Sequence, residues 1–179
     1  EALSAAGSYS VKAWTALTGD NNTQNDTLFT VIRQLDNQPL VLPFFDSYES
    51  LNVNYSSPVL GLGGLDYADY YPQQGARLRS NEGNTYALSG NRCIALDNFS
   101  GTSTRNELFF TFNLSSYKDS LVFLDFNYLN RGETDGNDSL FVRGDDNSPW
   151  IFLFDLYANR GAAGAYKLVK ELNLYQTLK

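Results

Sequence analysis

Three tyrosines, Tyr67, Tyr70 and Tyr71, crowd the segment GGLDYADYYPQQG (63–75) beside Asp66 and Asp69. Planar rings next to polar groups stack on sugar rings and meet their hydroxyls, although the same tyrosines could line a loop and cover a β-sheet with their hydroxyls in water. Acid pairs are the next source of chemistry, since a glycosidase needs two carboxyl groups ~5–10 Å apart across a cleft. Asp125 lies among Phe123, Leu124 and Phe126 with no Glu two residues to either side, and Glu107 and Glu133 sit at predicted strand ends without a mate. The turns Asp135-Gly136-Asn137-Asp138 and Asp145-Asp146-Asn147 carry oxygen donors of the kind a hard cation takes. They lack the alternating acids and closing Glu of an EF-hand and read as hairpin turns.

No His occurs anywhere in the chain, which removes the commonest general base and zinc ligand together, and with them any Ser-His-Asp triad or Cys-His pair within it. The single Cys93 lies in the apolar run Arg92-Cys93-Ile94-Ala95-Leu96 and reads as a small buried hydrophobe. Catalysis by these residues is not expected. Trp150, between Pro149 and a run through Phe154, reads as core rather than as a binding platform.

The elements that must position these side chains are strands. Aromatics make up 15% of the chain, with 12 Tyr and 12 Phe, a balance that suits pleated, half-buried strands. Thirteen basic against twenty acidic residues leave a net charge of −7, so a grip on nucleic acid or on anionic membrane surfaces is not expected. No stretch reaches the ~20 apolar residues of a spanning helix, so membrane insertion by that route is not expected either.

The run from Gly7 to Val31 predicts a hairpin, with Tyr9, Val11 and Ala13 alternating with polar neighbours and an Asn/Asp-rich turn before Leu28–Ile32. Such a hairpin is marginal alone, and it reads as the closing part (1–34) of a domain whose other strands lie elsewhere. Residues 35–43, with Pro39 and Pro43, predict an extended linker. Further strands are predicted over 44–49, 51–55, 76–80, 92–99, 106–114, 120–130, 138–143, 149–157 and 165–174, with no sustained helical period. The near-continuous apolar runs at 107–112 and 121–128 predict central strands covered on both faces. Strands of this number and spacing argue for two packed antiparallel sheets.

The segments LPFFDSYES (42–50), ALSGNRCIALDN (87–98), 107–160 and GAYKLVKELNL (164–174) resemble a jelly-roll module of large Bacteroidetes cell-surface proteins, similar in plan to MAM and concanavalin-type sandwiches. The most specific pieces are Asp138-Ser139-Leu140-Phe141-Val142-Arg143-Gly144 with Trp150 and Asp155-Leu156, and Asn25-Asp26-Thr27. The first hairpin resembles the end of the Ig-like repeats that precede such modules. The resemblance implies an all-β fold in which an Ig-like hairpin precedes an antiparallel jelly-roll β-sandwich over 44–179. The usual Gly-rich final strand is missing, so the sandwich is expected to be truncated at its C-terminus. It further implies a non-catalytic, extracellular module of a type IX-secreted adhesin or gliding protein, at the cell surface or released, that meets a glycan, a surface protein or the parent's other domains. The alternative is a carbohydrate-binding accessory domain of a secreted hydrolase. Sandwiches of this plan often hold calcium between carboxylates of an early and the last strand, which makes Glu49, with Asp97, the candidate ligands. Asp-Ser/Thr-apolar tripeptides used for O-linked sugars in Bacteroidetes mark Thr27, Ser120 and Ser139 as candidate glycosylation sites.

Overall fold

A computed structural model describes residues 5, 7–19, 22, 26–34, 38–50, 56–57, 66–69, 75–79, 86–98, 105–131 and 136–174. Among them every regular element is a strand. In chain order these are β1 (Gly7–Trp14), β2 (Thr27–Gln34), β3 (Ser56–Ser57), β4 (Asp66–Asp69), β5 (Ala76–Arg79), β6 (Ala95–Asn98), β7 (Asn106–Phe109), β8 (Phe123–Tyr128), β9 (Ser139–Val142), β10 (Ile151–Asp155) and β11 (Lys167–Asn173). All ladders are antiparallel: β1–β2, β3–β5–β6, β4–β7, β8–β11 and β9–β10. The chain divides into two compact units, Glu1–Asn113 and Leu114–Lys179, so this boundary falls inside the segment expected to form one sandwich.

In the first unit, β5 places Ala76 and Leu78 on one face, where they are buried, Leu78 completely. The period-2 pleat turns Arg79 to the other face, where its guanidinium pairs with Asp97 of β6. β5 and β6 pack against β7, and the Asn106 amide donates to the Asp97 carbonyl at 3.3 Å. The β1–β2 hairpin forms as predicted, in register from Gly7 opposite Gln34 to Trp14 opposite Thr27. Both of its faces stay open: Leu28 and Ile32 project from one and Trp14, Phe29 and Val31 from the other, and all are exposed.

The linker expectation for 35–43 meets a different finding at Leu40, which forms a parallel bridge with Phe112. Its amide donates to the Thr111 carbonyl at 2.7 Å and its carbonyl accepts from Asn113 at 2.9 Å. The strand predicted over 44–49 is not formed. There the Asp46 carboxylate accepts from the Tyr48 amide at 2.6 Å, a side-chain turn that competes with ladder pairing, and Tyr48 takes the left-handed φ of 62°. The strand predicted over 51–55 lies outside the described residues.

The second unit stacks two ladders. Phe126 of β8 meets Phe154 of β10 edge-on, with centroids 6.5 Å apart and planes at 87°. The Tyr128 hydroxyl donates to the Leu156 carbonyl at 2.9 Å, and Val169 of β11 and Leu174 are buried. The run at 121–128 is therefore not a strand covered on both faces: β8 alternates exposed and half-buried positions along Phe123–Tyr128, and Phe123 is half exposed.

Each of these ladders carries a register shift. In β11 it falls between Val169 and Leu172, where Glu171 takes a φ of 53° and its amide donates to the Asp125 carboxylate of β8 at 2.6 Å. The mid-strand acid is thus the acceptor that satisfies the bulge. Because the left-handed region disfavours a residue with a Cβ by roughly 1–2 kcal/mol, Glu171→Gly should hold or raise stability by up to about 1 kcal/mol. Asp125→Ala should lower it by about 1 kcal/mol by stranding that amide. Urea unfolding of the two variants checks both signs.

Candidate functional site

The β9–β10 hairpin presents a surface where large aromatics and a guanidinium gather on one face beside the carboxylates of the connecting turn. Register places Phe141 opposite Phe152 and Val142 opposite Ile151, so the next pair outward brings Arg143 and Trp150 together. Period-2 alternation then puts Phe141, Arg143, Trp150 and Phe152 on one face. Phe152 and Phe154 would share that face too, were it not for the register shift between them, after which Phe154 lies opposite Leu140. The extra residue, Leu153, turns Phe154 inward onto Phe126 and leaves Phe152 outward. Phe141, Trp150 and Phe152 are 48%, 47% and 55% exposed.

The geometry of the face is fixed from the turn. Oδ1 of Asp145 accepts from the Asn147 amide at 2.8 Å, the Ser148 amide at 2.8 Å and the Ser148 hydroxyl at 3.0 Å. These donors, the Asn147 amide foremost, hold the Asp145 carboxyl below the usual aspartate range. One Arg143 nitrogen pairs with the Asp146 carboxylate and the other donates to the Asp146 carbonyl at 3.1 Å. The guanidinium carbon then lies 4.5 Å from the centre of the Trp150 ring, a stack that orients the indole. Phe141 and Phe152 meet edge to face, 5.8 Å apart at 80°.

Trp150, expected in the core, is instead part of this open face. The expectation failed because Pro149-Trp150-Ile151-Phe152-Leu153-Phe154 reads as an unbroken buried strand, whereas the bulge splits the run between two faces. Arg143 and Trp150 flanking the turn symmetrically was the signal available in the sequence.

The other candidates are dispersed. Tyr67 lies on β4 opposite Leu108, and Tyr70 and Tyr71 lie outside the described residues. The Glu49 carboxylate accepts from the amides of Asn91 and Arg92, each at 2.9 Å, and fills the space beside Gly90, where a Cβ would come within 2.5 Å of it and φ is +67°. Asp97 pairs with Arg79. Glu49 and Asp97 therefore serve different partners, and among the described residues no three acidic or thiol side chains gather as a metal would require. Thr27 opens β2 and Ser139 opens β9, both half-buried, while Ser120 is exposed in a turn. Glu107 pairs with Arg105, Cys93 is half-buried, and Glu133 and Asp135 lie outside the described residues.

No protein-family model matches the chain, nor does any curated protein sequence or solved structure.

A carboxyl group depressed in the folded state stabilises its turn above the ordinary aspartate pKa and loses that contribution as pH falls through the folded value. An NMR titration of the Asp145 carboxyl carbon should accordingly show a midpoint below the ordinary aspartate value. The amide shifts of Asn147 and Ser148 should move at the same midpoint.

Proposed function

We propose that this chain is a non-catalytic recognition module of a larger cell-surface or secreted protein, and that its ligand is a glycan. The jelly-roll plan and the Ig-like hairpin, as the sequence resemblance implies them, belong to this proposal. The stacked antiparallel ladders of the second unit are compatible with that plan.

The observation that carries the reading is the open face of β9–β10. Three exposed aromatic side chains on one ladder face form an apolar surface rimmed by carboxylates and a guanidinium. The C–H side of a pyranose ring has the partial positive charge that the face of an aromatic ring attracts, and the polar rim supplies acceptors and donors for sugar hydroxyls. Because Arg143, Asp146 and the Asp145 turn hold Trp150 in place before any ligand arrives, little side-chain ordering is left for the binding step.

Affinity electrophoresis of the chain through gels containing soluble polysaccharides tests this. At least one polysaccharide should retard the protein, and Trp150→Ala should abolish the retardation while leaving the circular dichroism spectrum and melting temperature close to wild type. Migration unaffected by every polysaccharide, or equal retardation of the variant, overturns the proposal.

A further inference from the structure

We infer that the glycan taken by the β9–β10 face is an electrically neutral polymer of pyranose units, and that the same face discriminates against uronate-bearing and sulfated chains. This rests on the glycan reading of that face and narrows it.

A site for acidic saccharides needs a cation whose charge is not already compensated, and the cation of this face is paired with a neighbouring carboxylate. Arg143 gives one nitrogen to the Asp146 carboxylate and another to the Asp146 carbonyl at 3.1 Å, while the plane of its guanidinium is taken up by Trp150 at 4.5 Å. The side chain is only 26% exposed, against 70% for Asp146. An incoming carboxylate or sulfate therefore meets the acid before the base. Asp145 adds a second exposed carboxylate on the same turn, which is ionised at neutral pH because three protein donors stabilise its charged form. Two carboxylates thus flank one neutralised guanidinium on the rim of the aromatic surface.

At longer range the field has the same sign, since the chain carries a net charge of −7, and it slows the approach of a polyanion at low salt. The apolar part of the face has no charge preference. Trp150, which directly precedes β10, and Phe152 on it are two residues apart and separated by about 7 Å along extended chain, room for two sugar rings side by side. The favourable contribution is therefore stacking, and the charged rim acts only by exclusion.

The experiment compares the intact chain in gels carrying neutral polysaccharides (hydroxyethylcellulose, arabinoxylan, galactomannan) with gels carrying polygalacturonate, alginate or a sulfated galactan. At least one neutral polymer should bind, with every acidic one weaker by about tenfold or more, and added salt should leave the neutral affinity unchanged. Asp145→Asn keeps an acceptor oxygen for the turn and removes the charge, so it should narrow the ratio between neutral and acidic affinities. Equal or tighter retention by an acidic polymer, or neutral binding that salt abolishes, overturns this inference and leaves the glycan reading standing. Retention by none of the polymers removes both.

Discussion

A two-stranded ladder has no interior of its own, and in the second unit everything depends on how two such ladders cover each other. The contact between Phe126 and Phe154 joins β8–β11 to β9–β10, with the Tyr128 hydroxyl closing one end and Val169 buried in β11. An edge-to-face aromatic pair contributes ~0.5–1.5 kcal/mol beyond its buried area. Its larger role is geometric, because it decides which face of each ladder is hidden. Without it neither two-stranded ladder would have a surface against which to bury its apolar face.

Both register shifts follow from that arrangement. A strand of strict alternation would send Phe152 and Phe154 to the same side, and the hairpin would have to bury both or neither. The shift at Leu153 lets one strand supply a core residue and a surface residue two positions apart. In β11 the corresponding irregularity leaves the Glu171 amide without a ladder partner, and Asp125 provides the acceptor from the neighbouring strand. The outward aromatic face is thus a by-product of the inward packing, and the turn that joins β9 to β10 converts it into a defined surface. Arg143, held by Asp146, limits the Trp150 ring to one orientation, and the carboxylates around it keep an otherwise adhesive apolar patch soluble.

What could be read from the sequence was the kind and approximate place of the elements. The all-β character, the β1–β2 hairpin and the strands from β5 to β11 follow from apolar alternation and from Gly, Asn, Asp and Ser clusters between the runs. Alternation is a local property, and it failed where non-local pairing or a side-chain turn decided the outcome. Residues 44–49 have strand-like composition, yet Asp46 bonds the Tyr48 amide and the chain bends. β4 was hidden inside a tyrosine-rich segment because its pairing with β7 joins residues far apart in sequence. Trp150 was misplaced for the related reason that a bulge reverses the facing of everything beyond it, and a one-residue slip is invisible to a period-2 pattern.

The acids show why a residue type is weak evidence of chemistry in such a chain. Glu49 receives the amides of Asn91 and Arg92, Asp97 holds Arg79, Glu107 holds Arg105, Asp125 satisfies a bulge, and Asp145 and Asp146 build one turn. Every one of these carboxylates is spent on an amide or a guanidinium, tasks that recur wherever short strands and irregular turns leave backbone donors outside a ladder. A fold made of two-stranded ladders has many such donors and few buried apolar contacts, so its acids are drawn into holding loops and bulges in shape. The side chains left over for meeting another molecule are then the aromatics that packing could not enclose, and on β9–β10 those are the ones the acids hold in place.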